Sequence, residues 1–224
     1  MRLFLNYKYF YAINSPVILC EGKTDPIYIK CALRSLYKSY PNLVEKRKDG
    51  FKFKIKFLKY SKQIREVLNL SGGGAHFNEM INRYKKSFSN FHDGGAQYPV
   101  IILTDNDSGV NDIYKKVGAK KANRYANHHH LSENLYFAPI KLDKNKGEQE
   151  KFIEQLFPDE WLIKPLGTRY FSYDDNYNKD THYGKLEFAE KVVLKNQKEI
   201  NFQSFKIIFD QIEGVLNDHE KKLL

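Results

Sequence analysis

Two short hydrophobic runs, each followed by an acidic turn, stand out in the pattern of apolar and polar positions. Val17 to Cys20 lead into the turn Glu21 to Asp25, and Val100 to Thr104 lead into the turn Asp105 to Gly109. Short apolar runs that end at turn residues predict buried strands. Sites in open α/β sheets lie at the carboxyl ends of such strands. We therefore expect the two acidic turns to meet at one edge of one sheet.

The segments around these runs predict helices and further strands. Phe51 to Phe57 alternate strictly between apolar residues and lysine, which predicts one strand with a basic face, and Leu135 to Ile140 predict another strand. Helical spacing of apolar residues predicts helices over Pro26–Tyr40, His76–Phe91, Val110–Val117, Glu148–Leu156, Leu186–Lys195 and Phe202–Leu224. Strands alternate with helices through Leu156, which predicts an α/β fold with a mostly parallel central sheet.

Several polar stretches are predicted as loops. Glu45 to Asp49 is a charged run, and Arg169 to Thr181 is rich in Tyr, Asp and Asn. His128 to His130 place three imidazoles side by side; these cannot all face one ion on a regular element, so they predict a loop tract instead of a metal site. The glycine-rich turn around Gly73 precedes a predicted helix and could present N–H groups to phosphate. A plain flexible loop is the alternative, because the glycine spacing matches neither common nucleotide-binding fingerprint.

Composition bounds the class of protein. A chain of 224 residues that is 42% apolar can bury a sizeable core. There are 37 Lys and Arg against 27 Asp and Glu, a formal charge of +10. A basic surface around a few clustered acids suits a polyanionic substrate, but an ordinary lysine-rich surface explains the charge equally well. No run reaches the length of a membrane span. Two cysteines without metal-site spacing predict buried, reduced thiols in a cytoplasmic protein.

The acids of the two turns imply a bound cation if they converge. Two unit charges about 4 Å apart repel by roughly 4 kcal/mol at an effective dielectric constant near 20. Mg²⁺ prefers hard oxygen ligands and keeps waters for a substrate. We therefore predict one or two Mg²⁺ or Mn²⁺ ions; the alternative is that the acids cap the helices that follow them. The predicted ligands in these turns are Glu21, Asp25, Asp105 and Asp107.

Together the two motifs resemble those of Toprim domains. Val17 to Asp25, VILCEGKTD, is similar to their first motif, a strand followed by glutamate and glycine. Val100 to Gly109 is similar to their D-x-D pair after a later strand, and the match spans about residues 15 to 157. Three segments are most similar to the Toprim part of retron reverse-transcriptase fusions. They are the sequence EGKTD in the first turn, the aromatic segment Phe4 to Phe10, and the later segment Tyr183 to Ala189. The resemblance implies a Toprim, Rossmann-like sheet with a helical C-terminal extension.

The resemblance also implies roles for individual residues. Glu21 would be the general acid/base or a metal ligand, and Asp105 and Asp107 would be metal ligands. Asp25 matches the extra aspartate of OLD-family nucleases, E-x-x-x-D, which implies a second metal position. Those nucleases also supply a later glutamate and a lysine. The candidates for these are Glu154, with Glu148 and Glu150 as alternatives, and Lys185. The serine that OLD enzymes place before the late glutamate has no clear equivalent here.

The function that the resemblance implies is metal-assisted hydrolysis of DNA or RNA by the effector domain of a retron-type antiviral defence system. Its partners would be nucleic acid and a retron reverse transcriptase with its RNA–DNA; self-association is left open. Tyr125, Tyr136 or tyrosines of the Tyr170 to Tyr183 loop could stack on bases; a plain aromatic surface is the alternative. The residues expected to contact nucleic acid are Lys23, Gly73, Lys120, Lys121 and Arg124. Residues 1–14 would form a packing segment or former linker, 15–165 the catalytic domain, and 166–224 a loop and helical extension.

Two other functions are compatible with the same residues. A haloacid-dehalogenase-like phosphatase would use Asp105 as its nucleophile, but it would leave Glu21 and Asp25 without a role. A catalytically silent Toprim module would only bind nucleic acid or a reverse transcriptase. Topoisomerase activity is disfavoured because the chain has no room for a gate and a tyrosine-bearing domain. Primase activity is disfavoured because the chain has no zinc-binding set of cysteines.

Overall fold

A central sheet of five strands organises the computed structural model, which describes residues 1–59, 61, 64, 66, 74–91, 96–117, 124–174 and 176–224. In chain order the strands are Val17–Cys20 (β1), Val44–Arg47 (β2), Gly50–Phe53 (β3), Lys56–Phe57 (β4), Val100–Thr104 (β5), His129–Ser132 (β6), Leu135–Pro139 (β7), Tyr170–Phe171 (β8) and His182–Tyr183 (β9). The sheet has the order β4-β1-β5-β7-β6. Only β6 runs antiparallel to its neighbour in this sheet. The predicted α/β class with a mostly parallel sheet is confirmed.

Helices cover both faces of this sheet. They are Arg2–Asn6 (α1), Asp25–Ser35 (α2), Gly74–Phe88 (α3), Asn111–Lys116 (α4), Asp159–Leu162 (α5), Lys185–Glu187 (α6) and Lys206–Leu223 (α7). Wider π-type turns, Tyr7–Tyr11 and Phe188–Val193, continue α1 and α6. In the part of the chain that the structure describes, we find no helix with the length and apolar character needed to cross a membrane.

The two key strands lie side by side because both are apolar on both faces. Val17 to Cys20 and Val100 to Thr104 are buried at every position, as expected for strands of a parallel sheet covered on both sides. The strands are in register, with Val17 opposite Val100 and Cys20 opposite Leu103. The two acidic turns therefore begin at the same level of the same sheet edge.

Side chains of alternate residues in the central strands enter two different cores. On one face, Ile18 and Ile101 pack in a cluster with Tyr28 of α2 and with Phe188 and Phe209 of the C-terminal segment. This cluster makes the segment after residue 166 part of the main core. On the other face, a second cluster joins the strands to the N-terminal segment and α3; its members include Val17, Leu19, Val100, Ile102, Phe10, Tyr11, Tyr84 and Phe88. Both cysteines are buried, as predicted.

The prediction of a single basic strand from Phe51 to Phe57 is wrong. Gly50–Phe53 pairs antiparallel with β2, while Lys56–Phe57 pairs parallel with β1 at the sheet edge. The backbone N–H of Lys56 donates to Pro16 O at 2.8 Å, which draws the second half of the segment into the main sheet. The charged run from Glu45, predicted as a loop, is β2 of this hairpin. Gly50, at φ 139°, allows the tight turn between the two strands.

Four further predictions of local structure are wrong. The first helix ends at Ser35, before the predicted Tyr40. The histidine tract is not a loop, because its last two residues belong to His129–Ser132, which pairs with β7 at the edge of the sheet. The predicted helix Glu148–Leu156 is reduced to a 3-10 turn at its end, Ile153–Leu156. The predicted irregular loop from Arg169 also contains β8, which pairs with β9.

Asn134 is a buried polar residue that joins three parts of the fold. It is 1% exposed, and its Nδ2 donates to Phe10 O at 3.0 Å and to Tyr98 O at 2.7 Å. Its Oδ1 accepts a hydrogen bond from the Tyr84 hydroxyl at 2.8 Å. This one side chain therefore connects the N-terminal segment, α3 and the residues that precede β5.

We predict that Asn134→Ala lowers the free energy of unfolding by about 2–4 kcal/mol, because it leaves several buried polar groups without partners. Tyr84→Phe removes one of these hydrogen bonds and should cost about 1 kcal/mol. The exposed Asn145 offers a matched control, and Asn145→Ala should change stability by less than about 0.5 kcal/mol. Urea unfolding of the three variants checks the order, and equal midpoints for Asn134→Ala and Asn145→Ala would contradict it.

Candidate active site

Acidic side chains from both turns converge at the carboxyl ends of β1 and β5. Glu21 follows β1 directly and is half-buried, with its Oε2 atom buried. Asp25 is buried at the first turn of α2. Asp105 follows β5, and the charge of Asp25 is one of the causes that raise its pKa. The structure thus brings acids from both turns to one sheet edge.

Glycine at position 22 allows the first turn to close on Asp25. The backbone N–H of Gly22 donates to Asp25 Oδ2 at 2.8 Å. A Cβ atom at position 22 would collide with the Asp25 carboxylate. The glycine is therefore needed for a close approach of backbone to carboxylate. This contact orients Asp25 towards the end of β1.

The second turn is held by Asn106, which lies between the two aspartates. Asn106 is fully buried, and its Nδ2 donates to Ile140 O at 3.1 Å. Its backbone exchanges two hydrogen bonds with Lys151, at 2.8 and 3.0 Å. This pairing extends the chain past Lys151 towards Asp105, whose Oδ1 accepts from Ile153 N at 2.8 Å. The same pairing explains why residues 148–152 do not form the predicted helix.

Glu154 enters the cluster through this pairing. It is 0% exposed, and neither of its carboxylate oxygens accepts a hydrogen bond within the described residues. Lys185 Nζ lies 3.4 Å from its Oε2. The alternative candidates lie elsewhere: Glu148 accepts from Asp143 N at 2.6 Å, and Glu150 is exposed. Of the three glutamates proposed from sequence, Glu154 is the one that the structure places among the aspartates.

Lys185 is held in place by its own turn of the chain. The Tyr28 hydroxyl donates to Lys185 O at 3.2 Å, which connects α2 to α6. Two residues further on, Glu187 accepts two hydrogen bonds from Arg169, at 2.8 and 3.0 Å. The Lys185 side chain is 34% exposed, so its ammonium group faces both Glu154 and the solvent.

Burial and crowding shift the pKa values of four groups in the cluster: Asp25, Asp105, Glu154 and Lys185. Burial, followed by the charges of Asp25 and Glu154, raises the pKa of Asp105 to about 8. Burial also raises the pKa values of Asp25 and Glu154. For Lys185, burial acts to lower the pKa, but the surrounding carboxylates outweigh it and raise the pKa. One lysine thus faces three buried or half-buried carboxylates, so the cluster is short of positive charge.

The cluster has the donor chemistry of a divalent-cation site. Carboxylate oxygens suit Mg²⁺ and Mn²⁺, and the buried oxygens of Glu154 need a cationic or hydrogen-bonding partner. Among the described residues, no three His, Cys, Asp or Glu side chains are arranged as a ready ligand shell. The residues therefore fit such an ion by their chemistry, and binding would require their carboxylates to adjust.

The structure describes three of the remaining predicted site residues: Asp107, Arg124 and Lys23. Asp107 Oδ1 accepts a hydrogen bond from Gly109 N at 2.8 Å. Asp107 therefore caps the short turn that follows it, which was the predicted alternative to metal binding. Arg124 donates to Asp107 O at 2.6 Å, so part of its guanidinium is occupied within the fold. Lys23 is exposed between Glu21 and Asp25. The other predicted contacts, Gly73, Lys120 and Lys121, lie outside the described residues.

Sequence reasoning missed the residues that position the cluster. Tyr28 has only the pattern of a buried helix residue, and Asn106 has only that of a turn residue. Neither pattern indicates the distant groups that they contact. Tyr173 is 46% exposed, and the charges of Glu154 and Lys185 both affect its pKa. An aromatic ring from the tyrosine-rich loop therefore lies beside the cluster.

Comparison with known proteins adds no family. No family model matches the chain, and no solved structure matches it. The Toprim resemblance therefore stays a prediction based on the two motifs.

We predict that Asp105→Asn stabilises the metal-free protein more at about pH 8 than at about pH 5. The folded-state pKa of Asp105 is about 8, whereas an unfolded aspartate titrates near pH 3.9. Between these values the folded state holds a proton that the unfolded state has released, so wild-type stability falls as the pH rises. The neutral amide removes this dependence, and urea unfolding in EDTA at both pH values measures the difference.

Asp112→Asn is the matched control. Asp112 is exposed, and its pKa is lowered by Lys115. It is ionised in both folded and unfolded states over this range, so its substitution should have the same effect at both pH values. A pH-independent effect of Asp105→Asn would contradict the electrostatic picture of the cluster.

Proposed function

We propose that the protein is a divalent-cation-dependent nuclease of Toprim type, which hydrolyses phosphodiester bonds in DNA or RNA. The observation that carries this proposal is the convergence of Asp25, Asp105 and the buried Glu154 opposite Lys185 at the ends of parallel strands. Crowded carboxylates with one lysine suit a site that holds a metal ion and a phosphate together.

The carboxylates of the cluster would hold one or two Mg²⁺ or Mn²⁺ ions. Such an ion supplies charge neutralisation at the phosphate and lowers the pKa of bound water. Glu21, which is half-buried directly after β1, would accept or return a proton. Lys185 keeps its charge because its pKa is raised, and it would stabilise negative charge that develops on the phosphate oxygens.

The number and the burial of the acids favour a nuclease over the alternatives. A phosphatase that used Asp105 as its nucleophile would leave Glu21 and Asp25 without a role. Burying a carboxylate is costly unless a cation compensates it, so Glu154, which is 0% exposed, suits a site that holds a metal ion. The formal charge of +10 also suits a polyanionic substrate.

We infer further that the protein acts in a retron-type antiviral system beside a reverse transcriptase. This part of the proposal is supported by the resemblance of the EGKTD and YGKLEFA segments to retron fusions. Copurification of a reverse transcriptase with the tagged native protein would support it. Cleavage by the protein alone, without a reverse transcriptase, would be consistent with the nuclease proposal. It would show that the activity does not require a retron partner.

We predict that isosteric substitution of the clustered acids abolishes cleavage. In assays on single- and double-stranded DNA and on RNA with Mg²⁺ or Mn²⁺, Glu21→Gln, Asp105→Asn and Glu154→Gln should each lower the rate about 10²–10⁴-fold. Lys185→Met should lower it about 10²–10³-fold, because it removes one stabilising charge. The exposed acids provide controls with the same chemistry: Asp112→Asn and Glu150→Gln should retain full activity.

Each alternative function has its own outcome in these assays. Activity that survives EDTA, or that all four cluster variants retain, would contradict the proposed site. Release of phosphate from a phosphomonoester without cleavage of any polynucleotide would identify a phosphatase. Binding of nucleic acid without cleavage in any metal, by freshly prepared wild-type protein with its native partners, would identify a silent module.

We predict that metal binding releases protons. Binding of Mn²⁺ requires ionised carboxylates, and Asp105, whose pKa is about 8, is largely protonated at about pH 7. Calorimetric titration in two buffers of different ionisation enthalpy should therefore detect about one proton released per ion. Asp105→Asn should weaken binding and reduce this release, whereas Asp112→Asn should change neither. An absence of binding heat in the wild type, in both buffers, would contradict the metal site.

A further inference from the structure

A groove lies over β4, the short strand at one edge of the central sheet. Its volume is about 700 Å³. The N-terminal segment lies on one side of it, and α2 contributes Lys30 on the other. The floor is apolar and buried, formed by Val17, Ile55, Leu58 and Ile64. The groove therefore has a dry base within an otherwise basic surface.

Aromatic rings and lysines alternate around this floor. Phe53, Phe57 and Tyr9 are half-buried and present ring surface to the groove. Lys30 Nζ lies 5.2 Å from the centre of the Phe57 ring, and Lys8 Nζ lies 5.4 Å from the centre of the Tyr9 ring. The cations that line the groove are Lys8, Lys30, Lys56 and Lys59.

These cations lack opposing charges in the groove. No Asp or Glu is present among the described residues that line it. Burial lowers the pKa of Lys30, and the like charges of Lys59 and Arg34 lower it further. The lysines therefore repel one another, and an anion in the groove would relieve that repulsion.

We propose that this groove binds a single-stranded stretch of nucleic acid, with bases stacked on Phe57 and Tyr9 and phosphates at the lysines. The proposal deepens the nuclease function and rests on it for the identity of the substrate. Aromatic platforms beside a basic track are the chemistry of single-strand binding, because an unpaired base offers its ring face. A duplex fits less well, because its bases are stacked on one another and cannot stack on the protein rings. An acidic peptide would contact the lysines but would leave the aromatic rings without a role.

The groove and the acidic cluster both adjoin β1, but at different ends: Val17, the first residue of the strand, lines the groove, whereas the cluster begins at Glu21, directly after the last residue. Phe57 is paired with Ile18 in the adjacent strand β1. The helix α2 connects the two sites, because it carries Asp25 of the cluster at its first residue and Lys30 of the groove further along. A strand held in the groove would therefore lie one β-strand away from the proposed cleavage site.

Fluorescence anisotropy of labelled single-stranded DNA and RNA, about 12 nucleotides long to match one binding site, tests the groove. EDTA prevents cleavage during the measurement. The double variant Lys8→Gln/Lys59→Gln should weaken binding about 10-fold and reduce the slope of log affinity against log salt by about 1.4. Phe57→Leu, which keeps an apolar side chain in β4, should weaken binding about 5- to 100-fold with an unchanged slope.

Controls separate the groove from general charge and from misfolding. Lys144→Gln/Lys198→Gln removes the same charge from exposed sites outside the groove and should have a smaller effect on affinity. Thermal melts identify any variant that fails to fold. Photocross-linking of a 4-thiouridine oligonucleotide to the wild-type protein needs no variant, and it should label peptides that contain Tyr9 and Phe57.

The outcomes distinguish this proposal from the nuclease proposal. Binding that depends on the groove, without cleavage in any metal, would leave the groove in place and remove the catalytic function. Equal losses from the groove and control lysines, no effect of Phe57→Leu, or cross-links elsewhere would overturn the groove even if cleavage is observed. A further test uses poly-glutamate as a competitor for the labelled oligonucleotide. If it competes as well as an unlabelled oligonucleotide of equal charge, the groove binds acidic peptides and the proposal is overturned.

Discussion

The buried carboxylate of Glu154 is the feature on which the rest of the site depends. An ionised carboxylate without hydrogen bonds is costly inside a protein unless a cation compensates it. Lys185, 3.4 Å away, provides part of that compensation. Asp25 and Asp105 add further negative charge, so the cluster must hold protons, a metal ion or both. Such a cluster must be held in place by contacts from the surrounding fold.

The anchors come from parts of the chain that are distant in sequence. Asn106 and Lys151 pair through their backbones and bring Glu154 towards Asp105. Tyr28 reaches across from α2 to the backbone of Lys185. The segment after residue 166 is therefore integral to the site as well as to the core, since it supplies both Lys185 and the buried aromatic residues that pack against α2.

Charge is distributed in a way that connects the cluster with the proposed groove. The carboxylates lie at the ends of β1 and β5, whereas lysines surround the neighbouring edge strand β4. A polyanion would be attracted to the lysines and repelled by the acids until a metal ion neutralises them. The N-terminal segment packs Phe10 and Tyr11 into the second core and so carries Tyr9 and Lys8 to the groove. In this arrangement, the segment has a structural role, and under the proposal it would also have a binding role.

The sequence by itself determined the elements whose signals are local. β1, β5 and β7 follow from short apolar runs, the last helix follows from its 3.6-residue period, and acids directly after two parallel strands had to share one sheet edge. Only the tertiary structure decided features that depend on distant partners. The lysine-faced segment Phe51 to Phe57 contributes to two different sheets, and most of the histidine tract lies in a strand. Glu154 lies among the aspartates, whereas Glu148 and Glu150 do not. The physical reason is that backbone pairing and burial, such as that between Asn106 and Lys151, depend on contacts that no local pattern of residues records.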